Sequence, residues 1–171
     1  DVFISDLKLN ETLTAKDRVP VFQISQPKTS VVGDRFNVHV GPLVEYRSPK
    51  KGALRPYLEA KGTPAWSKAH VCENARRFSG TVFKPPFVVI RRTSRPGDTF
   101  RAIGTIVKGN EEVAVENHLI IVQPKKLTLA ECHTLLKVLR NSKTNKFLNE
   151  TMRCRHLTVQ SVINIPWSEN E

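Results

Sequence analysis

Between Arg47 and Arg101 the chain carries thirteen Lys/Arg against three acids (Glu59, Glu73 and Asp98), a surplus of ten out of a formal net charge of +11. The first 46 residues hold five basic and six acidic side chains, and the last 70 hold nine and seven, so both flanks are nearly neutral. Six of the eleven prolines (Pro49, Pro56, Pro64, Pro85, Pro86 and Pro96) fall in the same stretch, with Tyr57, Trp66 and Phe78 among the charges. Cations and prolines concentrated in this way predict a shaped, partly irregular segment that faces a polyanion, with nucleic acid the best fit. The bland alternative is a solubilising surface, but such surfaces ordinarily mix both signs.

At 171 residues and 39% apolar, the chain can bury a core, and its length suits one domain or one with a small appended subdomain. The longest apolar runs, such as Leu119 to Val122, fall far short of the roughly 20 residues a membrane helix requires. Cys72, Cys132 and Cys154 are odd in number and far apart, which favours neither a disulfide framework nor a zinc site and fits a reducing, cytoplasmic setting. The chain starts at Asp1 instead of Met, so a fragment of a longer protein is expected.

Strand signals come first along the chain and helix signals last. Val2 to Leu9 and Val21 to Ile24 read as short strands, with Pro20 and Pro27 preventing anything longer. Arg35 to Val40 alternates apolar and polar residues, then Gly41-Pro42 turns the chain into Leu43 to Tyr46, giving two strands joined at a bend. Arg47 to Gly80 shows no sustained period and reads as a long functional loop. Strands are expected again at Phe87–Arg92, Thr99–Val107, Glu112–Glu116 and His118–Val122, with an antiparallel hairpin across Lys108 to Glu111. Thr128-Leu-Ala-Glu131 then has the form of a reciprocal capping box. Leu129, Cys132, Leu135, Leu136 and Leu139 follow on one helical face, predicting a helix over about 129–141. A shorter helix is expected to carry Phe147, Leu148 and Met152, and Thr158 to cap a final helical turn. The fold class expected is α+β, a mainly antiparallel twisted β core with a C-terminal helical subdomain.

An enzyme needs convergent groups, and few are in view. Lys84-Pro-Pro-Phe87 superficially resembles the Asn/Asp-Pro-Pro-Tyr/Phe signature of amino methyltransferases, but Lys cannot accept hydrogen bonds from the target amine. The eight glycines never occur as G-x-G, so no phosphate-cradling loop can be built from them. Asn117-His118 with His70 could suggest a metal nuclease, although isolated His and Asn at strand edges are usually structural. Glu112 and Glu116 share a strand face and could act as acid and base; ion pairs with Arg101 or nearby lysines are the expected alternative. Cys132, on the apolar helical face, is expected to be a buried core residue. No catalytic residue and no metal ligand is assigned. Arg91 and Arg92 point to opposite faces of their strand, so only one of them shares a surface with Arg95 or Arg101. For polyanion binding the candidates are Arg47, Lys50, Lys51, Arg55, Lys61, Asn74, Arg76, Arg77, Arg92 and Arg95.

The succession Val32 to Gly41, Phe87 to Thr93, Val115 to Leu119, and then two helices, Leu157-Thr-Val and Ile165-Pro-Trp167 resembles the C-terminal target recognition region of adenine-specific DNA methyltransferases of bacterial type II restriction-modification systems, over about residues 30–167. The resemblance implies residues 1–29 as a connecting segment, 30–126 as a β-rich DNA recognition region with a basic loop at 47–80, and 127–171 as helical support. It implies duplex DNA as partner, together with an N-terminal catalytic domain that binds S-adenosylmethionine, beside which this region packs, forms a DNA-binding cleft and helps position the flipped adenine. Neither catalytic signature of that family occurs here, so no cofactor is expected in this chain. One alternative is a recognition half-domain of a type I restriction specificity subunit, though no heptad pattern extends beyond about two helical turns. A small basic nuclease and an RNA-binding module are the others; the latter calls for aromatic and basic residues alternating on a sheet face, and here they are scattered.

Overall fold

The computed structural model describes residues 29–67 and 73–168. The strands expected at Val2–Leu9 and Val21–Ile24, and the residues His70 and Cys72, lie outside the described residues. The fold is α+β. A single helical turn, α1 (Val32–Arg35), leads into β1 (Phe36–Val40); then come β2 (Ala53–Leu58), β3 (Asn74–Phe78), β4 (Phe87–Arg91), β5 (Gly104–Val107), β6 (Ala114–Val115) and β7 (Leu119–Pro124). Three helices close the chain: α2 (Leu129–Arg140), α3 (Ser142–Thr151) and α4 (Val159–Ile163).

Four strands form an antiparallel sheet in the order β1-β7-β4-β5, and a second sheet has the order β3-β2-β6. The run Phe87-Val-Val-Ile90 is apolar without alternation because both faces of β4 are covered. Val88 and Ile90, with Ile106, Ile120 and Val122, pack under the helices against Cys132, Leu135, Val138 and Leu139. Phe87 and Val89, with Val107, Leu119 and Ile121, face the smaller sheet through Leu58, Val113 and Val115. The Thr128 hydroxyl caps α2 by accepting from the Glu131 amide at 3.4 Å, which is worth about 1 kcal/mol. Each fully buried Leu on that helix contributes about 1.5–3 kcal/mol, so packing, not capping, holds α2. Gly104 makes the close approach possible: a Cβ there would lie 2.8 Å from Leu136 Cδ2 and 3.0 Å from Leu139 Cδ1.

The Glu131 carboxylate does not return to Thr128; it faces Arg35 at 3.7 Å, and the Thr128 amide donates to Lys126 O. The reciprocal capping box sits instead at α4, where the Thr158 hydroxyl accepts from the Ser161 amide and the Ser161 hydroxyl accepts from the Thr158 amide, both at 3.0 Å. The hairpin expected across Lys108 to Glu111 does not form: β5 pairs with β4, and β6 pairs in parallel with β2. Leu43 makes only an isolated bridge to Glu116, and residues 45–47 turn.

The stretch 47–80 is not one irregular loop, since β2 and β3 within it form an antiparallel ladder. Pro56 hid β2 from pattern reading. It is tolerated because β6 reaches only Tyr57 and Leu58, leaving the flank at Pro56 outside that ladder. Farther on, Trp66 N donates to Gly104 O and Ile106 N to Ser67 O, so residues 66–67 run along the outer edge of β5.

Arg101 is neither on the cationic surface nor paired with Glu112 or Glu116. It is 1% exposed. Its Nε donates to Ser94 Oγ, Nη1 to Asn149 Oδ1 and Met152 O, and Nη2 to Cys154 O, all at 2.9–3.0 Å. A charge buried among neutral acceptors thus fastens the 94–101 segment to α3 and to the turn after it. Nearby, Ser94 N donates to Arg155 O and Leu157 N to Arg92 O, a backbone seam that joins the helical end to the sheet.

Candidate nucleic-acid interface

The β2–β3 hairpin places its cations by register. Arg55 lies opposite Arg76 and Leu54 opposite Arg77. Two arginines directly across a ladder repel each other unless each is occupied elsewhere, and both are. Arg55 Nη1 pairs with Glu112 Oε2 at 2.8 Å. Arg76 Nη2 donates to Glu45 O and Ser48 O, both at 2.9 Å, and its guanidinium stands 5.9 Å from the Tyr57 ring. Arg76 is therefore a clamp on the turn at 44–48. Arg77 spends one donor on Gly52 O at 3.1 Å and is otherwise exposed.

An open groove of about 500 Å³ runs along this hairpin, lined by Glu45, Tyr46, Lys50, Leu54, Tyr57, Ala75, Arg76 and Arg77. A second groove, of about 390 Å³, is lined by Val44, Glu45, Tyr46, Arg47, Glu116, Asn117 and His118. Glu45 and Tyr46 belong to both, so the turn forms a ridge between them. Of the candidate residues, Lys50, Arg76 and Arg77 come together in the first groove and Arg47 enters the second. Lys51 and Lys61 are exposed outside both. The side chains of Arg47, Lys50, Lys51, Lys61 and Arg95 make no hydrogen bond or ion pair among the described residues. Asn74 borders a smaller hollow that contains Glu59 and Glu73, a setting that disfavours phosphate. Arg92 is half-buried and supports the 117–118 turn, its amide donating to His118 O and its Nη1 reaching Asn117 O at 3.5 Å. Arg95 sits on a separate turn beside the helical end, where its amide donates to Asp98 Oδ2.

Three groups that composition did not single out for DNA contact belong to the grooves. Tyr46 is 95% exposed and Leu54 64%. Glu116 is buried; its Oε2 accepts from the Ala60 amide and its Oε1 accepts from His118 Nδ1, both at 2.8 Å. This fixes the His118 ring and replaces the expected pairing of Glu116 with Arg101 or a lysine. Burial, reinforced by the charges of Glu116, Glu45 and Glu59, pushes the Tyr57 phenol up to about 12. Its hydroxyl is closed off from solvent and has no hydrogen-bond partner among the described residues. Among the described residues no cluster of His, Cys, Asp or Glu is arranged to hold a metal, and no helix is long and apolar enough to cross a membrane.

No family model and no curated protein matches this chain. A solved structure does. Over 85% of its length the chain is similar to 35% of a chain from a structure concerned with complex assembly and conformational transition of the type I R-M system, with 14% sequence identity and a TM-score of 0.52. That likeness is one of fold. The protein thus spans about a third of the chain it matches.

Proposed function

We propose that this chain is a target-recognition module, a rigid α+β body that reads a short stretch of duplex DNA for the methyltransferase of a restriction-modification system. The observation that carries the reading is a groove with exposed Lys50 and Arg77, and Arg47 beyond its ridge, on a fold shared with a chain of the type I R-M system. Lys50, Arg77 and Arg47 anchor phosphates; Arg55 and Arg76, already bonded, shape the surface. The finer proposal is an adenine-N6 methyltransferase. Its S-adenosylmethionine belongs to a separate catalytic domain, because the glycines here are isolated and form no cofactor-cradling loop.

Two placements compete for the module. The ordered segments favour an appendage of a type II methyltransferase, whereas the structural likeness favours a half-domain of a type I specificity subunit. Co-expression with candidate modification subunits separates them, since only the second requires assembly with a separate subunit.

Fluorescence anisotropy with a labelled duplex and the matching single strand tests the function itself. Three phosphate contacts predict a log–log salt slope near −2.7, roughly a 40-fold loss of affinity from 50 to 200 mM salt, with duplex preferred. No binding to duplex at 50 mM, or metal-dependent cleavage of it by this chain, removes the proposal.

A further inference from the structure

Tyr46 is the most exposed large apolar side chain among the described residues, yet the turn that carries it is tightly held. Val44 O accepts from both Arg47 N at 3.1 Å and Ser48 N at 2.7 Å, and Val44 N donates to Ser48 Oγ at 3.0 Å. Arg76 adds its two bonds to Glu45 O and Ser48 O from the neighbouring strand. A ring presented to solvent on a rigid turn loses little conformational freedom when it meets a flat partner, so binding costs little ordering.

The charges around the ring distinguish what can meet it. Glu45 lines both grooves beside Tyr46 and repels phosphate at the ridge. Arg47 on one side, and Lys50 and Arg77 on the other, attract phosphate to the flanks. A duplex seated with its backbones over those cations therefore brings bases, not phosphates, to the ridge, where Glu45 can also accept from a cytosine amine. Leu54 extends the apolar surface on one side.

We propose that Tyr46 is a base-contacting residue, which lays its ring against a base of the bound duplex while Arg47, Lys50 and Arg77 hold the flanking phosphates. This rests on the DNA-binding reading above, and it adds the residue through which binding disturbs base stacking.

The test uses the 171-residue chain, its Tyr46→Ala, Tyr46→Phe and Arg77→Ala variants, and a duplex carrying 2-aminopurine at successive positions. Tyr46→Ala is expected to weaken binding about tenfold or more at every salt concentration without changing the salt slope. Tyr46→Phe should keep most of the affinity, and Arg77→Ala should make the slope shallower by about one unit. With the parent chain, 2-aminopurine emission should rise at one position, and Tyr46→Ala should abolish that rise. Equal affinity and unchanged emission for Tyr46→Ala overturn the inference while leaving DNA binding intact. So does a shallower slope for that variant, which would place the ring's effect in the phosphate contacts. A parent chain that binds no duplex overturns the functional reading first and this inference with it. The ring is solvent-exposed, so Tyr46→Ala should melt with the parent chain.

Discussion

Replacing Arg101 with Ala tests whether a buried, unpaired guanidinium holds the helical end to the sheet. Four side-chain hydrogen bonds are lost, and bonds from a charged donor are each worth about 1.5–3 kcal/mol net. Relief of the several kcal/mol spent on desolvating the charge offsets part of that loss, while a cavity and orphaned acceptors at Met152 O and Cys154 O add to it. The expected net destabilisation is about 3–5 kcal/mol, the lost charge-assisted bonds and the cavity less the desolvation that is relieved. For a protein of this size that lowers Tm by roughly 6–20 °C. Urea and thermal unfolding give the magnitude, and hydrogen exchange gives the place, with residues 152–157 losing protection first because Met152 O and Cys154 O in that segment receive two of the bonds. Arg101→Met restores volume without donors and should recover only the cavity part of the loss. A destabilisation below about 1 kcal/mol for Arg101→Ala would mean that desolvation already cancels the bonds and that the backbone seam at 92–94 and 155–157 suffices alone.

Gly41→Ala should destabilise by about 3 kcal/mol or more in urea unfolding, because its Cβ would lie 1.9 Å from Glu116 O, a backbone atom that cannot rotate away. Tyr57→Phe should leave stability unchanged or raise it by about 1 kcal/mol, since it removes a buried hydroxyl without a partner among the described residues; a clear loss in the same assay would contradict that. Stability should fall as pH rises from about 9 to 12. Burial, and secondarily Glu131, pushes the Cys132 thiol up to about 12, and the Tyr57 phenol is raised likewise. In that window the unfolded chain has lost protons the folded chain keeps, so each group contributes a slope of at most about −1.4 kcal/mol per pH unit. Cys132→Ala should flatten the profile between pH 9 and 11, and an unchanged slope would contradict the assignment.

How much of this could be read in advance depended on how local the cause was. The helix at Leu129–Arg140 and the cap at Thr158 follow from spacing and side-chain chemistry within a few residues, and both were legible. So was the burial of Cys132. The β5 and β6 strands flank a turn suited to a hairpin, yet they join different sheets because β6 finds its partner in β2, more than fifty residues earlier. The β2–β3 hairpin was hidden by Pro56 and by charges whose partners, Glu112 for Arg55 and two turn carbonyls for Arg76, lie far away in sequence. Arg101 looked like one more surface cation, because neutral acceptors at Ser94, Asn149, Met152 and Cys154 leave no charge pattern to detect. The cationic segment was visible at once, but which cations remain unbonded was not, since that depends on the 44–48 turn and on Gly52 O.

The claim that this protein reads DNA is tested most directly by selecting a randomised duplex library on it at two salt concentrations and sequencing what is retained. Sequence-specific reading predicts enrichment of one short motif that survives the higher salt, because base contacts persist when phosphate contacts are screened. Retention of every sequence at low salt and of none at high salt would contradict it, leaving a cationic surface without a reader.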